Sequence, residues 1–313
     1  MSSSAAPSAH NSILRSNASS IVEALQPLNS PQRQWPKYLS AAVSLLLLGS
    51  ISNELFKGGL TALGSAIPRS LGFYLCFAAV YMVQPVADYI IFRKLWQMPF
   101  SGMRPILRKF VANEVLLGYS GEAYFYAWAR ERLKFVTAPF AEIKDVSILS
   151  AVVGNLLTLL LLIVATPFAF AIIPQNMVWP IASSAGVIIA MSLAILLFKG
   201  RLFSIASFEL RWVAAVHVVR TSAYTLLLAL SWHFALPHVP LTIWLLLITG
   251  RQLVSRLPLV PNKDLVFAGL ALLLIGGDNQ VAQLMSFTVA LTLLFHALVF
   301  VGTSLPSLGE NQL

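Results

Sequence analysis

An all-α bundle of transmembrane helices is the fold class this sequence predicts, and three observations predict it. Of the 313 residues, 58% are hydrophobic and only 11% are charged, and the mean hydropathy is +0.78. A soluble domain is about 45–50% apolar. Uncharged runs such as SILSAVVGNLLTLLLLIVATPFAFAII and VWPIASSAGVIIAMSLAILLF exceed the roughly 20 residues that a helix needs to cross a bilayer core. These runs also lack the alternation of apolar and polar positions that a transmembrane β-barrel requires.

Residues 1–36, MSSSAAPSAHNSILRSNASSIVEALQPLNSPQRQWP, are rich in Ser, Ala, Asn and Pro. Such a segment cannot bury a core and is expected to be a disordered cytoplasmic tail. The first apolar run starts too late for a standard cleavable signal peptide, so it is expected to stay as a span. A transmembrane domain follows over 37–304, and 305–313 form a short cytoplasmic tail. About eight spans are expected, near 39–56, 71–92, 148–173, 178–198, 212–235, 241–258, 264–276 and 281–303.

The cations give this scheme an orientation. With the N-terminal tail inside, the inner side receives Arg33, Lys37, Arg93, Lys94, Lys199, Arg201 and most of the others. The outer side keeps Lys57 and Arg69, and Arg220 falls within a span. That asymmetry predicts both termini in the cytoplasm of a multi-pass cell membrane protein, as in a bacterial inner membrane. The net charge of +9 is accounted for by these loops. No basic soluble domain is present to carry nucleic-acid binding. Cys76 lies within an apolar run and reads as a packing residue, with no second cysteine for a disulfide.

One stretch resists the scheme. Residues 112–133, ANEVLLGYSGEAYFYAWARERL, carry Glu114 and Glu122 among apolar and aromatic neighbours. Arg104, Arg108 and Lys109 precede them, and Arg130, Arg132 and Lys134 follow. A full crossing would strand one basic cluster outside. A re-entrant hairpin near 111–128, entering from the cytoplasmic side, keeps both inside, with Gly118 and Gly121 giving the turn its freedom. Irregular backbone at membrane depth is tolerated only beside protein or water, so a cavity is expected next to it.

Ionisable groups at membrane depth are functional or paired by default. Glu114 and Glu122 either line that cavity or form salt bridges with Arg108 or Arg130 that lock the hairpin. Of the two, Glu122, in the turn opened by Gly118 and Gly121, is expected to point into the cavity and Glu114 to pair with Arg108. Asp88 is expected to pair with Arg93 or Lys94. Arg220 shares a helical face with His217 and calls for a carboxylate or a lipid phosphate, either of which its planar fork binds bidentately. Arg251 and Arg256 fall in the sixth span, which with the short seventh suggests broken or tilted half-helices. His296 reads as a hydrogen-bonded packing histidine. No phosphate loop, metal-ligand spacing or catalytic triad is recognisable, so no cofactor or metal is expected, and an enzyme is the less favoured class.

The hairpin stretch resembles an early motif of the lysylphosphatidylglycerol synthase transmembrane family, which includes flippase-like integral membrane proteins. Asn113, Gly118, Gly121 and Glu122 match, while Leu117 stands where that family usually has proline. A later motif is similar at Leu257, Pro258 and Pro261, after which Asn262 and Lys263 replace glycines. The resemblance covers about residues 38–303 and lacks the family's soluble synthase domain. It implies a translocator of a phospholipid or polyprenyl-linked lipid. Asn113, Glu114, Gly118, Gly121, Glu122, Arg220, Arg251 and Arg256 would form its substrate-binding set. Membrane lipids with anionic head groups would be its partners, drawn by a cationic cytoplasmic mouth. Two alternatives stay open: a non-catalytic or degenerate membrane partner protein, and a membrane-embedded transferase using Glu114 or Glu122 as a base.

Overall fold

The computed structural model describes residues 67–116, 119–133, 139–169, 175–197, 203–256, 267 and 279–304. Among them the regular structure is helical: α1 (Leu71–Trp96), α2 (Met103–Val115), α3 (Ser120–Arg132), α4 (Phe140–Ala169), α5 (Gln175–Leu197), α6 (Ser207–Ala235), α7 (Leu241–Arg256) and α8 (Asn279–Ser304). A short 3₁₀ turn, Phe100–Gly102, joins α1 to α2.

Four helices are long and apolar enough to cross a membrane: Leu71–Trp96, Phe140–Phe168, Ser207–Ala235 and Gln283–Ser304. Helices α5 and α7 coincide with two more of the expected spans. The expected spans at 39–56 and, apart from Phe267, at 264–276 lie outside the described residues, as do both tails. Large aliphatic side chains on the long helices point away from the bundle, among them Leu75 on α1, Leu160 and Ile163 on α4, Val219 and Leu226 on α6, and Leu298 on α8. An exposed apolar exterior on long apolar helices is what lipid, not water, tolerates.

Helix α1 organises the interior because its two ends enter different cores. Near its start, Phe73 and Phe77 pack with Leu228 and Trp232 of α6, Trp244 and Leu247 of α7, and Leu284 and Met285 of α8. Near its end, Ile91, Phe92 and Trp96 pack with Ile106 of α2, Phe125 of α3, Val146 of α4 and Val213 of α6. Gln97, in the left-handed conformation with φ 50°, terminates α1. Arg93 and Lys94 fall in its last turn, where cations favour the helix dipole. Between the two cores, the middle of α1 carries Tyr81, Gln84 and Asp88.

Helices α2 and α3 have 13 residues each. At 1.5 Å per residue each is about 20 Å long, too short for a hydrocarbon core of about 30 Å. They pack together as a helical hairpin at the expected place. The basic residues at the head of α2 have a concrete task. Arg104 Nε and Arg108 Nη2 each donate 2.8 Å hydrogen bonds to the Thr303 carbonyl, and Arg108 Nη2 also reaches Ser304 Oγ at 3.1 Å. They satisfy and charge-balance the open end of α8. Elsewhere, the fully buried Asp145 of α4 accepts the Ile205 amide at 2.8 Å and that of Ser204, fixing the entry into α6.

Candidate functional site

The hairpin is built by side chains that stitch α2 to α3. Asn113 Oδ1 accepts the Gly121 amide at 2.8 Å, and Ser120 Oγ donates to the Ala112 carbonyl at 2.8 Å. A Cβ at Gly121 would run into the Lys109 carbonyl oxygen. Gly121 is therefore needed for close helix approach, not for freedom in the turn as the sequence suggested. The left-handed residue is Tyr119, with φ 73°. Gly118 lies outside the described residues.

Close approach at Gly121 puts a lysine between two acids. Lys109 Nζ lies 2.7 Å from Asp88 Oδ2 and 3.5 Å from Glu122 Oε1, with side-chain exposures of 4%, 4% and 17% for Lys109, Asp88 and Glu122. Its ammonium also stands 5.6 Å and 5.7 Å from the ring centroids of Phe92 and Phe125, where aromatic faces attract a cation. Burial by itself disfavours a charged lysine, and two carboxylates at this range are what favour it.

Two expected pairings are thereby corrected. Asp88 takes Lys109 as its partner, not Arg93 or Lys94. Those residues are five and six positions on, away from its helical face; Arg93 turns to the Tyr89 hydroxyl, and Lys94 stands 4.1 Å from the Trp212 ring. Glu122 likewise takes Lys109 rather than Arg108, which is committed to α8.

One turn away, α1, α2, α4, α6, α7 and α8 enclose a cavity of about 230 Å³. Its polar lining comprises Tyr81, Gln84, Glu114, Ser150, Arg220, Thr221, Tyr224, Arg251, Gln252, Ser255, Arg256, Thr292 and His296. Of the two hairpin acids, Glu114 lines it and Glu122 does not, the reverse of the expected division. The reason is the helical face: Glu114 lies one residue past Asn113, about 100° round α2 from the side that bonds α3. Tyr81, Gln84, Gln252 and Ser255 belong to this site and escaped the sequence reading. Their nearest sequence signal was their being polar in apolar runs.

Among the described residues, Arg220 and Arg256 take neutral hydrogen-bond partners. Arg220 Nη2 donates to Ser150 Oγ at 3.0 Å and to Thr221 Oγ1 at 3.5 Å. One turn earlier, His217 Nε2 donates to the Val146 carbonyl at 3.2 Å. Arg256 Nη2 donates to Gln252 Oε1 at 3.2 Å, its guanidinium lies against Gly154 of α4, and its buried Nε has no hydrogen-bond partner among the described residues. Arg251 stands 5.1 Å from the Tyr224 ring centroid. On the opposite wall, the Tyr81 hydroxyl and His296 Nδ1 share a 2.9 Å hydrogen bond. His296 is thus hydrogen-bonded, as expected, and also lines the cavity. The site offers an excess of fixed, planar donors, which is the chemistry of anion binding.

The chain matches no protein-family model, no curated protein and no solved structure.

Proposed function

We propose that this chain is a translocator of a phospholipid or polyprenyl-linked lipid. In this reading it has about eight spans plus the α2–α3 hairpin re-entering from the cytoplasm, and both termini are cytoplasmic. The single observation that carries it is a polar, arginine-bearing cavity inside a bundle whose outer surface is apolar. A membrane protein has no structural need for such a space, since polar groups at that depth raise the energy of the fold. A substrate with a polar head and apolar tails matches both environments. The likeness of Asn113, Gly121 and Glu122 to the flippase-like family motif points the same way.

The test is leaflet exchange of a labelled lipid in proteoliposomes. Exchange should be fast with the native protein and at least tenfold slower for Glu114→Gln, which keeps shape but removes the carboxylate that lines the cavity. Background exchange by the native protein would sink the reading. The topology has its own check: single cysteines near Gly102 and Lys134 should both be labelled from the cytoplasm, and labelling of one from outside would replace the hairpin with a full crossing.

One observation favours a second reading, in which the polar groups serve only to hold the bundle together. Glu122, the acid of the family-like motif, is engaged by Lys109 and takes no part in the cavity lining.

A further inference from the structure

Among the described residues, neither Arg220 nor Arg256 has a carboxylate within ion-pair distance. Arg220 is only 8% exposed, and Arg256 keeps its Nε buried and unpartnered. An arginine buried without a counter-ion is costly, and neutral hydroxyl or amide acceptors offset only part of that cost. The nearby acids do not remove the imbalance. Among the described residues the cavity lining carries three cations, Arg220, Arg251 and Arg256, and one carboxylate, Glu114. Asp88 and Glu122 are engaged by Lys109. The described cavity wall is therefore short of negative charge.

We infer that the cavity is a phosphate site, in which Arg220 and Arg256 bind the phosphate of a lipid head group. This deepens the translocator reading and rests on it only for the source of the phosphate. A tetrahedral phosphate offers oxygens to several guanidinium forks at once, whereas a carboxylate saturates one. Gly154 contributes by omission, since a Cβ there would displace the Arg256 guanidinium. Ser150 of α4 holds Arg220, and Gln252, one turn earlier on α7, holds Arg256. A cavity of about 230 Å³ is below the roughly 300–1,000 Å³ of pockets that enclose drug-sized ligands. It admits a phosphate and a short polar extension and leaves acyl or prenyl chains in the bilayer. On the α2 side, Glu114 is the group that meets a hydroxyl or ammonium on that extension.

The experiment measures lipid retention by native mass spectrometry on the full chain in detergent. Phosphatidylglycerol and phosphatidic acid are compared with diacylglycerol and a phosphate-free galactolipid. Inorganic phosphate and glycerol 3-phosphate serve as soluble competitors. Phosphate-bearing lipids should be retained selectively, and Arg220→Gln and Arg256→Gln should each weaken retention about tenfold or more. Arg256→Lys keeps the charge but loses the fork, so it should fall between, which guards against a variant that merely misfolds. Equal retention of the phosphate-free lipids, or native retention by both glutamine variants, overturns the site. Binding of the soluble phosphates without any phospholipid overturns the lipid as source. The two readings also fail separately: selective retention without leaflet exchange sinks translocation alone, and exchange that ignores phosphate sinks the phosphate site alone.

Discussion

Two charged regions lie within one bundle, and they are built on opposite plans. At the α1–α2–α3 junction, Lys109 sits between Asp88 and Glu122 and beside two aromatic rings, with almost no access to solvent. Around the cavity, Arg220 and Arg256 hold only neutral partners among the described residues and face open space. In the first region every charge has an opposite charge within ion-pair distance, and no room is left. The second leaves both charge and room unfilled. Burial of charge is therefore not one signal but two. A compensated cluster reads as architecture, and an uncompensated one reads as a place for something else.

The sharpest way to break this comparison is to unbalance the compensated cluster. Lys109→Met would leave Asp88 and Glu122 buried together without their cation, which costs about 3–5 kcal/mol in comparable cases. The detergent melting temperature should fall further than for Gly121→Ala or His296→Phe, and adding Asp88→Asn should recover part of it. If Lys109→Met melts like the native protein, the cluster is not architecture.

A smaller effect is expected at the helix contact that creates the cluster. Gly121→Ala places a methyl group against the Lys109 carbonyl, and overpacking of this kind costs about 1–3 kcal/mol. The backbone carbonyl cannot step aside, so the hairpin must open slightly and lengthen the Lys109–Glu122 contact. Melting should register the loss, and an Ala variant as stable as the native protein would mean that the hairpin is loosely packed.

The smallest change belongs to the cavity wall. His296→Phe removes the partner of the Tyr81 hydroxyl, and one lost hydrogen bond is worth about 1 kcal/mol. The hydroxyl still faces the cavity, where water can reach it. A destabilisation as large as that of Gly121→Ala would show this wall to be sealed.

Which parts are legible in the sequence follows from what kind of physics sets them. The helical membrane class rests on composition and run length, and these survive in the four long apolar helices. The α2–α3 helical hairpin falls on the stretch that the two flanking basic clusters single out. The pairings within it are not legible in the sequence. Proximity along the chain matches Asp88 to Arg93 and Lys94, whereas Lys109 reaches it from another helix, 21 positions on. Gly121 suggests freedom because glycine has that property everywhere, while only the Lys109 carbonyl explains its place here. The roles of Glu114 and Glu122 exchange for the same reason. Which face of a short helix meets which neighbour is decided by packing among α1, α2, α3 and α8, and the local pattern around each acid does not contain it. Arg220, Arg251 and Arg256 stand out in the sequence as costly residues, but their gathering around one space needs separate helices to be brought together.

The most direct measurement is the detergent melting temperature of Arg220→Gln/Arg256→Gln, in lipid-free protein, set against that of Lys109→Met. If the cavity arginines are uncompensated and await an anion, removing both charges should leave the empty protein as stable as the native one or stabilise it by about 1–4 kcal/mol. A loss as large as that of Lys109→Met would contradict the account, because it would show that both regions are held together by their charges alike.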